Sequence, residues 1–114
     1  MIKIEVPALN DSISRITLEG REFYIRLTYN PSYDFWSIGL YTPTLEPIIG
    51  MVKIVPNVPL FHYYKNTDLP EGIMICISNK ERVGKDGFDG KSTFLAYVRS
   101  DELDHVWGDK WRTG

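Results

Sequence analysis

The sequence predicts a small all-β domain: a mostly antiparallel barrel or barrel-like sandwich of about seven strands, followed by a short C-terminal helix or tail. Three observations lead there. Short runs along the chain alternate apolar and polar residues, and each is ended by Gly, Pro, Asn or Asp. The clearest is Phe23-Tyr24-Ile25-Arg26-Leu27-Thr28-Tyr29, with Phe23, Ile25, Leu27 and Tyr29 on one side. A side-chain period of two means a strand with one buried face. No long stretch interrupts these runs with helical spacing. At 114 residues the chain makes one domain, large enough to bury about 65% of the surface it exposes when unfolded.

The elements follow in order. Ile2, Ile4 and Val6 form a first strand face, stopped by Pro7 and the Asn10-Asp11-Ser12 cluster. Ser14 to Leu18 makes a second strand with Ile16 and Leu18 inward; Glu19-Gly20-Arg21 turns tightly, Gly20 supplying positive φ. After the Phe23–Tyr29 strand, Pro31 sets the first corner of the turn Asn30-Pro31-Ser32-Tyr33-Asp34. Trp36, Ile38 and Leu40 line one face of a fourth strand, with Ser37, Gly39 and Tyr41 on the other.

Thr42 to Pro47 is a loop. Ile48 to Val55 is apolar on both parities apart from Gly50 and Lys53, the pattern of a strand covered on both faces or crossing a corner at Gly50. Pro56 and Pro59 forbid a ladder strand from Val55 to Leu60 and turn the chain, presenting Phe61 and Tyr63 or Tyr64 outside the main ladder. Ile73, Ile75 and Ile77 are the inward face of a sixth strand; Lys80 to Ser92 reads as a mobile hairpin tip. Thr93 to Arg99 closes the set, giving a domain over 1–100. In the tail, 101–114, Ser100 caps a short helix, Asp101 and Glu102 suit its first turn, and Gly108 its stop. The predicted core is Ile16, Leu18, Phe23, Ile25, Leu27, Trp36, Ile38, Leu40, Ile73, Ile75 and Ile77.

The residues carry no catalytic or metal constellation, and no cofactor is expected. Gly84, Gly90, Lys91 and Ser92 look like a phosphate loop, but the glycines are separated by five residues and a strand follows instead of a helix. Asp86 and Asp89 beside Gly87 and Gly90 read as turn formers, since a calcium loop needs alternating acidic ligands and a closing Glu. Asp101, Asp104 and His105 offer one i, i+4 pair, which a solvated helix face explains. The single cysteine, Cys76, lies in an apolar run and reads as a buried, inert thiol suited to a reducing cytoplasm. Thirteen basic residues against fifteen acidic ones provide no general field for nucleic acid or an anionic membrane. The first residues alternate from the start rather than forming a signal peptide, and no apolar run spans a membrane.

The compositional oddity is aromatic: seven Tyr, five Phe and three Trp. About half belong to a core of this size. The others, with one arginine, are candidate interface residues: Tyr24, Arg26, Tyr41, Phe61, Tyr63, Tyr64, Trp107 and Trp111. Exposed aromatics beside Arg are enriched where proteins meet proteins, and they also stack on sugars or unpaired bases. The tail from Leu103 to Trp111 reads as a docking element, which folds back over its own barrel or packs on a neighbour.

Several marks in order resemble the plug proteins of contractile-phage baseplates, known from a cyanophage tail. They are Leu18-Glu19-Gly20-Arg21-Glu22-Phe23, Tyr29-Asn30 leading to Trp36, and Leu40-Tyr41 before a two-proline loop. Gly50, Val55-Pro56-Asn57-Val58-Pro59-Leu60, Leu69-Pro70-Glu71-Gly72 and Leu95-Ala96-Tyr97-Val98 follow. The resemblance covers roughly residues 1–100. The Lys80–Ser92 loop and the tail after Ser100 depart from it. It implies a non-enzymatic virion component in the tail baseplate, assembled in the host cytoplasm as a homo-oligomeric ring. Its partners would be hub, tube and spike proteins, with neither nucleic acid nor membrane. The alternative is a carbohydrate-binding-like β module using the exposed aromatics.

Overall fold

A computed structural model of the chain describes residues 1–61 and 68–107, with side chains as far as His105. The elements are β1 (Ile2–Ile4), β2 (Asp11–Leu18), β3 (Arg21–Asn30), β4 (Phe35–Tyr41), β5 (Pro47–Lys53), β6 (Ile73–Ser78), β7 (Thr93–Val98) and α1 (Ser100–Trp107). They form two antiparallel sheets, one of order β2-β3-β4-β5 and one of order β1-β7-β6. The mostly β class, the strand number and the C-terminal helix match the sequence reading, as a sandwich rather than a closed barrel.

The first sheet is a meander whose first two connections are short turns. Leu18 pairs with Arg21 across Glu19 and Gly20, whose φ values of 51° and 80° make both central positions left-handed. That geometry matches the twist of the flanking strands. At the β3–β4 turn the Asn30 Oδ1 accepts the N–H groups of Ser32 and Tyr33, at 3.0 and 3.2 Å. In-register pairing then stacks Ile25 on Leu40, Leu27 on Ile38 and Tyr29 on Trp36. All six are buried in the core.

The second sheet corrects one expectation. On β6 it is Met74, Cys76 and Ser78 that are buried, while Ile73, Ile75 and Ile77 are half-buried on the other face. Met74 pairs with Tyr97, Cys76 with Leu95 and Ser78 with Thr93, so the buried parity of β7 sets that of β6. A run apolar on both parities does not reveal which face the neighbour will take. Ile16 is likewise only half-buried against the core. The expected core residues of β3 and β4, with Leu18, are in place.

β5 is an edge strand, not one covered on both faces. Its pairing with β4 shifts register twice, with Gly50 and Met51 together facing Gly39 at one shift and Ile48 extra at the other. The bulges explain the lost alternation, and Met51 is left exposed. The strand ends at Lys53, and Val55 to Leu60 turns as expected, with Val58 exposed and Pro59 making an isolated bridge to Ile75. Phe61, expected on the surface, is buried at 9% exposure in the core. Tyr63 and Tyr64 lie outside the described residues.

The loop between β6 and β7 is packed rather than a free tip. The Trp36 indole N–H donates to Gly84 O at 2.8 Å, Phe88 meets Trp36 edge-on at 5.6 Å, and Val83 is buried. Arg82 reaches the Asp34 carboxylate, which also accepts the Tyr29 hydroxyl at 2.5 Å. A buried indole needs an acceptor, and this loop supplies it.

Candidate interaction surface

Alternation on β3 and β4 turns two groups of side chains away from the core. On β3 these are Tyr24, Arg26 and Thr28; on β4 they are Phe35, Ser37, Gly39 and Tyr41. Asp11, Ile13, Arg15 and Thr17 of β2 join them, paired in turn with Thr28, Arg26, Tyr24 and Glu22. The outer face of the four-stranded sheet therefore collects three of the candidate interface residues. Tyr24 lies directly opposite Tyr41, and Arg26 opposite Gly39.

The reason for a glycine here is spatial. A Cβ on Gly39 would stand 2.8 Å from Met51 Sδ and 3.4 Å from Tyr41 Cε2. Its absence lets Met51 and Tyr41 lie across the strand, and Gly39 is buried beneath them. Arg26 is fixed by a two-point clamp on Asp11, Nε to Oδ1 at 3.0 Å and Nη2 to Oδ2 at 2.8 Å. The Thr28 hydroxyl donates to the same carboxylate at 3.2 Å. Asp11 and, after it, the Tyr41 hydroxyl raise the Arg26 pKa further above its usual value. In turn the Arg26 hydrogen bond, helped by Thr28 and opposed by partial burial, lowers that of Asp11. Arg15 pairs with Glu22 at 3.1 Å, and Lys53 stands over the Phe35 ring at 5.2 Å.

The surface thus alternates rings, thioether and paired charges of both signs. It lacks the one-sided positive field that a nucleic-acid backbone requires. Fixed arginine between tyrosines is instead the composition of protein contact sites.

The remaining candidates divide. Phe61 belongs to the core. Trp107 ends α1, its side chain beyond the described ones, and Trp111, Tyr63 and Tyr64 lie outside the described residues. What is described of the tail is anchored: Leu103 is buried, and Ser100 donates both its N–H and its hydroxyl to Glu19. Asp89 closes a turn, its carboxylate accepting from Lys91 N, Ser92 Oγ and Thr93 N at 2.8, 2.6 and 3.0 Å. Burial pushes the Cys76 thiol up to about 11, so it stays protonated and unreactive at neutral pH. Among the described residues no helix is long and apolar enough to cross a membrane.

Sequence reasoning found Tyr24, Arg26 and Tyr41 through alternation. It missed Asp11, Ile13 and Met51: the first reads as a turn residue, the second precedes the expected strand, and the third sits in a bulge. In comparison with known proteins, a family model described as "Cyanophage baseplate Pam3 plug gp18" matches residues 1–101. No curated protein matches the chain.

Proposed function

The chain belongs to the cyanophage baseplate plug family, a family of structural proteins of the phage tail baseplate, and from that premise we propose that it acts without catalysis as a central plug. In this reading several copies form a symmetric ring at the junction of tube, hub and spike. It is assembled in the host cytoplasm and carried in the virion. The family match over residues 1–101 carries the proposal. The outer face of the four-stranded sheet supports it, because Tyr24, Tyr41 and the clamped Arg26 give a prearranged contact surface for a neighbouring baseplate protein. The segment after Ser100 serves as a docking tail, with Trp107 and Trp111 as its anchors.

Cryo-electron microscopy of purified virions tests this reading. Density for the chain is expected as a ring on the tail axis where tube and spike meet. Absence of the chain from washed virions, or its presence only away from the tail tip, would overturn the proposal. The sugar-binding alternative draws on the side-by-side Tyr24 and Tyr41, and it requires glycan binding by the isolated chain that is lost in Tyr24→Ala.

A further inference from the structure

The two sheets end in four edge strands, and three of these are poorly suited to further pairing. On β6 the carbonyls are covered: Leu60 N–H donates to Met74 O at 2.9 Å and Asn57 N–H to Cys76 O at 2.6 Å. The Asn57 side chain completes the cover, donating to Ser78 O at 2.7 Å and accepting from Ser78 N–H at 3.2 Å. β5 carries two register shifts and begins on Pro47, devices that keep an edge from templating another strand. β1 has three residues. β2 is different: its eight residues run in unbroken register with β3 and include no Pro, Gly or Lys.

The phase of this edge is set by one bond. Tyr29 N–H donates to Asn10 O at 2.7 Å, extending the β2–β3 ladder by one pair. Hydrogen-bonded pairs alternate in an antiparallel ladder, so Ser12, Ser14, Ile16 and Leu18 bond β3. Asp11, Ile13, Arg15 and Thr17 therefore turn their backbone N–H and C=O groups away from β3, to the side on which no strand pairs with β2 among the described residues. Their side chains lie on the outer face, with Ile13 55% exposed.

The segment Asp11-Ser12-Ile13-Ser14-Arg15 complements itself when reversed. Laid antiparallel on a second copy with Ile13 opposite Ile13, it sets Asp11 against the second copy's Arg15 at both ends. Adjacent registers lose both charge pairs, and the next ones set Arg15 on Arg15 or Asp11 on Asp11. Each end also continues into charges already held: Arg26 clamps Asp11 at 3.0 and 2.8 Å, and Glu22 takes Arg15 at 3.1 Å. Charge across the seam then alternates from Arg26 to Asp11, and on to Arg15 and Glu22 of the second copy.

We propose that the outer edge of β2 binds a second copy of this chain by antiparallel strand addition about a two-fold axis at Ile13, joining the two four-stranded sheets into one. A two-fold contact closes on itself. It describes the free protein as a dimer and does not rest on the baseplate reading.

Sedimentation of the purified chain over a concentration series tests the proposal. The wild type shifts from monomer to dimer mass. Arg15→Asp and Asp11→Arg each stay monomeric, with an unchanged β circular-dichroism spectrum, because each sets like charges across both ends of the seam. Mixed in equal amounts, the two variants restore both opposite-charge pairs and form a heterodimer. A wild type that stays monomeric, variants that dimerise alone, or a mixture that stays monomeric would each overturn the proposal. Amide exchange on the unaltered chain needs no variant: Ile13 and Arg15 slow as concentration rises, whereas Ser12 and Ser14 do not change. Exchange at Ile13 and Arg15 that ignores concentration would also overturn it.

Discussion

The Tyr97 hydroxyl donates to the Glu19 carboxylate, tying β7 of one sheet to the β2–β3 turn of the other. The same oxygen accepts the Gly72 N–H at 2.7 Å, and Glu19 also takes the N–H and hydroxyl of Ser100 at the start of α1. One carboxylate thus fastens a hairpin, a sheet and a helix. Its own backbone is left-handed, with φ 51°, a conformation unfavourable for Glu that these bonds offset.

Tyr97→Phe is expected to remove that tie with little change in shape. Tyr97 is fully buried, so the Gly72 amide loses its acceptor and the loss is about 1–3 kcal/mol. Urea unfolding measures it. A midpoint unchanged from wild type would show that the tie contributes nothing.

Acid should weaken the fold through Glu19. Burial pushes its carboxyl up, but hydrogen bonds from Ser100 and Tyr97 and the nearby Arg99 charge outweigh it, and the pKa is lowered from 4.5. A lowered native pKa means that the folded state favours the charged form. The stabilisation is therefore complete above the unfolded value and disappears as pH falls through the native one. Unfolding midpoints between pH 7 and pH 3 should drop below about pH 4.5, and more gently in Glu19→Gln. Parallel curves for both proteins would count against this role.

The faces of β3 and β6 can be read by truncation. Ile25→Ala and Met74→Ala empty core positions that are 2% exposed, and each should cost on the order of 2–5 kcal/mol. Ile13→Ser, at an exposed site, should stay within about 0.5 kcal/mol in the monomer. A Met74→Ala variant as stable as wild type would reverse the assignment of the β6 face.

Two glycines should respond in opposite ways to alanine. At Gly72 a Cβ would lie 2.2 Å from the Val98 carbonyl oxygen, a backbone atom that cannot turn aside. The expected loss is about 1–3 kcal/mol or more. At Gly50 a Cβ meets nothing within 4 Å, so alanine should be neutral or stabilise by up to about 1 kcal/mol. Thermal midpoints of the two variants decide the comparison.

Tyr24→Ser and Arg26→Ala should leave monomer stability within about 1 kcal/mol while reducing incorporation of the chain into tails. Complementation of a phage lacking the gene, scored by tail assembly, reads this. Full assembly with both variants would remove the sheet face from the interface.

By itself the sequence determined the class and most of the first sheet, because period-two alternation, turn residues and helix caps are local effects. Phe23 to Tyr29 could face only one way, since the opposite parity carries Arg26 and Thr28. The ordered marks from Leu18 to Val98 were also legible, and the family match bears them out. The tertiary structure alone decided the inward face of β6, the burial of Phe61 and the packing of the Val83–Phe88 loop on Trp36. It also brought Asp11, Arg26 and Tyr41 together and set β2 at the edge of its sheet. Each of these depends on which strand lies alongside, and pairing partners distant in sequence leave no trace in the local pattern.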